Sequence, residues 1–326
     1  MFLYLLVPYL FLNSIKDRIK LIRLLSPKHI FTYVAIASLI DSVVVNLSGK
    51  SEYPHILGFP AILPLLPMAV ILAGIIYAKK TTHKIIFLAF LGFEFVSAIN
   101  RLSLGLLFNA AQMLLFIFVL HFNLRFTARF IAIFASILLI NLTSILLITN
   151  PFNWTLLAAK AEGSITRQIQ MENAVENFKH NIPGVIGKGL GSTWFEYIPI
   201  PETDIYSVGT SVGATSEDAM GMPVKFVFNF GPAALLHKWG IIGTIILIFL
   251  LAQYYHVSSK KIRELQRYGV DMINIRYLKA VLLISFLYAF GSYIYIGNLK
   301  ESLITSLLAF YTENQINIYS KSLTTT

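Results

Sequence analysis

IIGTIILIFLLAQYY, residues 241–255, decides the fold. It is almost wholly apolar and alternates in no register. A membrane-spanning strand would alternate outward apolar with inward polar residues over ~10 positions. A continuous apolar run of this kind reads as a helix buried on every side, in protein or in lipid. It sits inside a longer apolar segment, 226–254, and eight more lie near 2–13, 30–47, 60–78, 85–100, 102–122, 130–148, 280–297 and 302–312. Several approach or exceed the ~20 residues that cross a bilayer core. The first and last are short for full spans. Residues 85–122 contain no evident loop, yet as one helix they would run about 57 Å at 1.5 Å per residue. A tight turn is therefore expected near Ser97–Arg101.

Composition points the same way. The chain is 56% hydrophobic and 13% charged, where a soluble domain carries about 25% charge. The expected fold is all-α: a polytopic helical membrane protein with about 8–10 spans. Three regions follow, a bundle over 1–148, a long loop over 149–225 and returning helices over 226–326. The net charge is +10. In a soluble protein that would suggest nucleic acid. Here the basic residues sit mostly in short loops between apolar runs, so orientation explains them and no nucleic-acid partner is expected. Cysteine is absent, which excludes disulfides, thiol nucleophiles and cysteine metal sites.

Assigning lysines and arginines to alternate sides divides the chain's 26 into 17 and 9. The richer side holds the clusters 16–28, 79–84, 125–129, 260–267 and 276–279. By the positive-inside rule it is cytoplasmic. The loop 149–225 and the turn carrying Arg101 then lie outside the cytoplasm, where a site has no nucleotide to draw on.

Within the loop, SITRQIQMENAVENFKHNIPGVIGKGLGS (164–192) reads as a helix over 164–181 followed by a glycine-rich turn. At 3.6 residues per turn Arg167, Met171, Ala174 and Phe178 share one stripe, and Glu172, Glu176 and Lys179 another. Arg167 thus extends the apolar stripe, either as a snorkelling arginine or as an anion ligand. GKGLG (187–191), with Lys188, lacks the preceding strand of a phosphate fingerprint. It reads as a turn that lets backbone pass close to something. Arg101, at an outer turn, is a candidate by its cost at membrane depth; Glu94 lies two turns earlier, so the two also fit a structural pair. Lys225, Asn229 and His237 lie at the outer end of the returning segment, His237 being either an acid–base group or an interfacial neighbour of Trp239. Trp194, Glu196 and Asp218 suit sugar binding, by ring stacking and hydroxyl hydrogen bonds, or an ordinary folded loop. Histidines and acids show no metal-ligand spacing, and no metal or other cofactor is expected.

Three stretches together resemble the O-antigen polymerase and O-antigen ligase superfamily: AINRLSLGLLFNAAQMLL (98–115), RQIQMENAVENFKHNIPGVIGKGLGS (167–192) and LLHKWGIIG (235–243), the last with Gly240 and Gly243. The resemblance implies an inverting, metal-independent glycosyltransferase in the bacterial inner membrane, with its large loop in the periplasm. Its donor would be a glycan on undecaprenyl diphosphate, and it would work beside a chain-length regulator and a flippase. Arg101 and Arg167 match the family's arginines and would hold the diphosphate. Where relatives place a histidine before the last motif, this chain has Asn229. The base is then His237, a loop acid such as Glu196 or Asp218, or no strong base at all. An O-antigen ligase of the same superfamily, a transporter or flippase of a lipid-linked glycan, and a non-catalytic scaffold are the alternative readings.

Overall fold

The computed structural model describes residues 25–47, 55–56, 59–60, 66–100, 104–121, 125–149, 161–180, 185, 187–188, 193–199, 224–225, 231–291 and 299–324. They are helical apart from two short antiparallel ladders and connecting turns. In chain order the elements are α1 (Pro27–Leu47), β1 (His55–Ile56), β2 (Phe59–Pro60), α2 (Leu66–Tyr77), α3 (Thr81–Asn100), α4 (Leu104–His121) and α5 (Phe126–Thr149). Then come α6 (Ala161–His180), β3 (Trp194–Phe195), β4 (Val224–Lys225), α7 (Gly231–Lys238), α8 (Gly240–Arg267), α9 (Met272–Gly291) and α10 (Leu299–Thr324). The chain divides into two units. One holds residues 1–129, 251–293 and 298–326, and the other 130–250 with 294–297.

The first unit is built around α9. Every residue from Ala280 to Ala289 is buried, as the all-round apolar sequence AVLLISFLYA requires. Helices α1, α2, α4 and α10 pack against it. Leu66–Gly74 of α2 is buried as well. At Gly74 an added Cβ would overlap the ring of Phe87 on α3, so the missing side chain is what lets these helices approach. Phe31 joins the layers, 5.3 Å from the Tyr277 ring and 6.2 Å from Phe87. Ser26 caps α1, its hydroxyl accepting the His29 amide at 3.4 Å, with Pro27 in the first turn. The Tyr311 hydroxyl and the Gln315 amide of α10 both donate to the Leu25 carbonyl, at 2.7 and 3.1 Å.

The α8–α9 connection is a compact stop. Gly269 takes φ +84°, the Val270 amide returns to the Leu265 carbonyl at 3.2 Å, and the Asp271 carboxylate accepts the Ile273 amide at 3.1 Å. Among the described residues, two helices are long and apolar enough to cross a membrane, Gly240–Arg267 and Met272–Ala289. They differ in surroundings: the second is mostly buried, while α8 presents Ile241, Ile242, Ile245, Ile246, Phe249 and Leu250 outward along one face.

Several expectations need adjusting. The segment 226–254 is not one run of helix, because Trp239 separates α7 from α8, whose first residue, Gly240, sits at φ +61°. The segment 302–312 is only the apolar part of α10, a 26-residue helix. Helix α6 begins at Ala161 rather than 164, drawing Glu162 into its first turn, where the helix dipole favours an acid. Helix α3 runs to Asn100 and α4 starts at Leu104, and the expected turn near Ser97–Arg101 reaches outside the described residues at Arg101. Glu94 accepts a hydrogen bond from the buried Ser42 hydroxyl on α1, while Arg101, with which it was expected to pair, lies outside the described residues.

Candidate functional site

The second unit gathers most of the loop's describable chemistry around α6. Its buried stripe shares Ala174 with the one read from the apolar pattern but is otherwise polar, and the Arg167 side chain lies outside what the structure describes. Gln170, Asn173, Ala174 and Asn177 are the residues at 0–1% exposure, while Met171 and Phe178 are half-buried at its edge and Glu172 and Lys179 face outward. The face is polar because it grips backbone. Asn173 donates to the Ile198 carbonyl at 2.8 Å and accepts the Ile198 amide at 2.9 Å. One turn on, Asn177 donates to the Phe195 carbonyl at 2.6 Å and accepts the Phe195 amide at 3.0 Å. Each side-chain amide thus pairs as a peptide group of a neighbouring strand would, and together they hold residues 195–198 along the helix. His180 stacks on Tyr197 at 4.9 Å, and Phe195 meets Tyr197 edge-on at 5.0 Å. On the outer face Lys179 donates to Glu176 at 2.7 Å and holds its carboxyl below the usual range.

The glycine-rich turn makes the second set of contacts. Gly187 sits at φ +81° against the backbone of the α7–α8 break. An added Cβ would overlap the Trp239 carbonyl carbon and lie 2.6 Å from the Gly240 nitrogen and the Lys238 oxygen. What the turn passes close to is therefore the chain itself, and only glycine supplies both the conformation and the room. Next to it the Lys188 amide donates to the His237 carbonyl at 3.0 Å. His237 Nε2 lies 3.1 Å from the Thr193 carbonyl. A carbonyl only accepts, so Nε2 carries the proton. Burial, and then the nearby Lys188 ammonium, push the ring's pKa from 6.5 down to about 4. The imidazole is neutral at physiological pH, tying the turn to α7 through its N–H. Burial also lowers the pKa of Lys238. The arrangement is a docked turn with two lysines and an uncharged histidine at the start of the apolar helix α8. Chemically that suits holding an anion in place more than donating a proton to one.

Of the residues singled out in the sequence, Lys188 and His237 come together here. Trp194 and Lys225 are direct register partners in the β3–β4 ladder. Glu196 is half-buried on the segment held by the two asparagines. Arg167 lies in the second turn of α6. Arg101, Asp218 and Asn229 fall outside the described residues. Sequence reasoning missed Asn173 and Asn177, although their spacing of four, which stacks them on one helix face, was available as a signal. It also gave Lys238 no role in the site. No family model matches the chain, and no curated protein or solved structure is significantly similar to it.

Proposed function

We propose that this chain is a polytopic inner-membrane glycosyltransferase. It polymerises undecaprenyl-diphosphate-linked oligosaccharide repeat units on the periplasmic side, into O-antigen, capsule or exopolysaccharide. The observation that carries the reading is the docking of the loop onto the returning segment: α6 packs on α7, and Gly187–Lys188 and Thr193 meet α7, holding Lys188 and Lys238 beside the start of α8. Cationic groups at that position suit a lipid-linked diphosphate, whose charge sits at the head of an apolar chain. The apolar outward face of α8 and the asymmetric spread of lysine and arginine support the membrane placement.

In this mechanism an acceptor sugar hydroxyl attacks the anomeric carbon of the donor glycan. The bond from that carbon to the diphosphate oxygen breaks, the electron pair leaves with undecaprenyl diphosphate, and the configuration inverts. Arg101 and Arg167 clamp the diphosphate, with Lys188 adding positive charge. Because negative charge grows on the leaving group, positioned guanidinium groups stabilise the transition state more than the ground state. The hydroxyl proton passes to Glu196, to Asp218 or to water, a neutral ring of pKa about 4 being a weak base. The energy is already stored in the lipid diphosphate linkage, so no nucleotide takes part.

The test is glycan length in cells lacking the protein, complemented with wild type, Arg167→Ala or Arg167→Lys. Wild type restores a ladder of repeat units, and both variants leave single repeats although the protein is made and inserted. Mutants that restore the full ladder, or a wild type that only brings single repeats to the outer face, overturn the proposal.

A further inference from the structure

The first unit contains a second polar site that the reading above leaves unused. A cavity of about 240 Å³ opens between α2, α4, the start of α5, the C-terminal half of α8, and α9. Arg129, Arg263 and Lys279 line it, with Tyr77, Tyr255 and Ser259, and no carboxylate is among its described lining residues. Arg129 is 3% exposed. Its guanidinium donates to His256 Nδ1 at 3.0 Å; a ring nitrogen that accepts belongs to a neutral imidazole. Lys279 donates to the neutral Gln266 amide oxygen at 3.0 Å. Arg263 lies close enough to repel both Arg129 and Lys279.

Three cations converge on this cavity, Arg129 buried, Lys279 half-buried and Arg263 exposed, and their mutual repulsion is screened least at the buried end. An anion placed among them removes that repulsion and takes charge-assisted hydrogen bonds from guanidinium, ammonium and hydroxyl donors together. We propose that this cavity binds a phosphate or diphosphate group, carried by a membrane lipid or by a soluble solute. The size decides the class: pockets for drug-sized ligands run from ~300 to ~1,000 Å³, so this one takes a headgroup rather than a whole nucleotide. Leu120, Leu282 and Leu283 on its wall suit an adjoining acyl or alkyl portion. The same charge asymmetry that sets the loop outside places these basic clusters on the cytoplasmic side. The site is thus independent of glycan polymerisation.

The full chain in phosphatidylcholine nanodiscs is titrated with inorganic diphosphate by calorimetry. In parallel, nanodiscs containing phosphatidate are analysed by native mass spectrometry for retained lipid. Binding of diphosphate assigns a soluble source, and retention of phosphatidate alone assigns a lipid. In either arm Arg263→Gln, an exposed residue at the mouth, and Lys279→Gln each weaken binding about tenfold, the worth of one charge-assisted hydrogen bond. Lys260→Gln, exposed and outside the cavity, leaves it unchanged. The proposal is overturned if neither probe binds wild type, if both cavity variants bind as wild type does, or if Lys260→Gln weakens binding equally. Glycan length in the same variants stays at the wild-type ladder, so failure here and failure of the polymerase reading are separate results.

Discussion

Replacing Asn177 by alanine removes both hydrogen bonds to the Phe195 backbone, at 2.6 and 3.0 Å, in a place where Asn177 itself is 1% exposed. Both bonds are part-buried, and each backbone group left without its partner costs ~1–3 kcal/mol. Alanine returns about 0.5 kcal/mol as the better helix former. The net loss is on the order of 2–5 kcal/mol, falling on the docking of 195–198 against α6 rather than on the first unit. Hydrogen exchange reads it directly, because the Phe195 and Ile198 amides are the groups the two asparagines accept from. At ~1.4 kcal/mol per decade, exchange of the Phe195 amide accelerates at least tenfold, and exchange in α9 does not change. Asn173→Ala does the same at Ile198, and the double variant costs less than the sum, since each residue supports the same segment. Asn177→Asp keeps the acceptor but sets a carboxylate against the Phe195 and Asn173 carbonyls, so it is at least as damaging. If Asn177→Ala leaves Phe195 exchange within twofold of wild type, the amide clamp does not hold the loop and this account of α6 fails.

Gly187→Ala forces a left-handed conformation that costs ~1–2 kcal/mol and drives a Cβ into immobile backbone at Trp239; it lowers the thermal midpoint and frees the 193–199 amides. Gly92→Ala, with open space around its Cβ, is neutral or gains up to ~1 kcal/mol of helix propensity. His237 supplies a pH dependence: with a folded pKa of about 4 against 6.5, the unfolded loop binds the proton first. Its stability is complete above pH 6.5 and is lost as pH falls toward 4. His237→Gln, which keeps a donor for Thr193, has a flatter profile over that window, and parallel profiles for the two proteins would remove the assignment. Gly74→Ala pushes a methyl into the Phe87 ring and costs ~1–3 kcal/mol in a melt, a loss that Phe87→Leu in the same chain partly restores.

Unit one was largely legible because its elements follow from continuous apolar runs, whose extent is a property of the sequence alone. The start of α1 moved by three residues, where Ser26 and Pro27 cap it, and the facing ends of α8 and α9 moved by thirteen and eight, where Gly269 with Asp271 make the stop. The loop was less legible for a physical reason. Periodicity finds a helix face that avoids water by being apolar, and α6 buries Gln170, Asn173 and Asn177 instead. Those side chains are at home in the interior only because particular backbone groups meet them, and the identity of those groups is fixed by the fold. GKGLG illustrates the intermediate case. Its glycines announce a close approach, while the partner, Trp239 and Gly240, lies some fifty residues on. Arg101 and Arg167 carry the resemblance to glycan polymerases through sequence alone.

The placement of apolar side chains bears on the proposed membrane environment independently of any motif. In water, an exposed apolar stripe as continuous as that on α8 is a liability, since contiguous apolar patches on soluble monomers rarely exceed a few hundred Å². Similar residues face outward on α3 (Ile85, Ile86, Leu88, Phe93, Val96) and on α5 (Leu138, Leu139, Leu142, Leu146). In lipid the same surface costs nothing, and the strain passes to groups that must find partners inside the protein. The hydroxyls of the same helices behave accordingly, at exposed, part-buried and buried positions alike. Ser136 and Thr143 on α5 and Thr244 on α8 return their hydroxyls to the carbonyl four residues back, at 2.8, 2.7 and 2.6 Å. A hydroxyl that would be hydrated at no cost on a soluble surface is bonded within its own helix. If the surrounding medium were water, Leu139→Gln and Leu142→Gln together would raise solubility and leave insertion unaffected. For a chain embedded in lipid they reduce the inserted fraction. Extraction of the double variant by alkaline carbonate, where wild type stays in the membrane pellet, is the outcome expected. Its retention at the wild-type level would show that this face of α5 does not meet lipid.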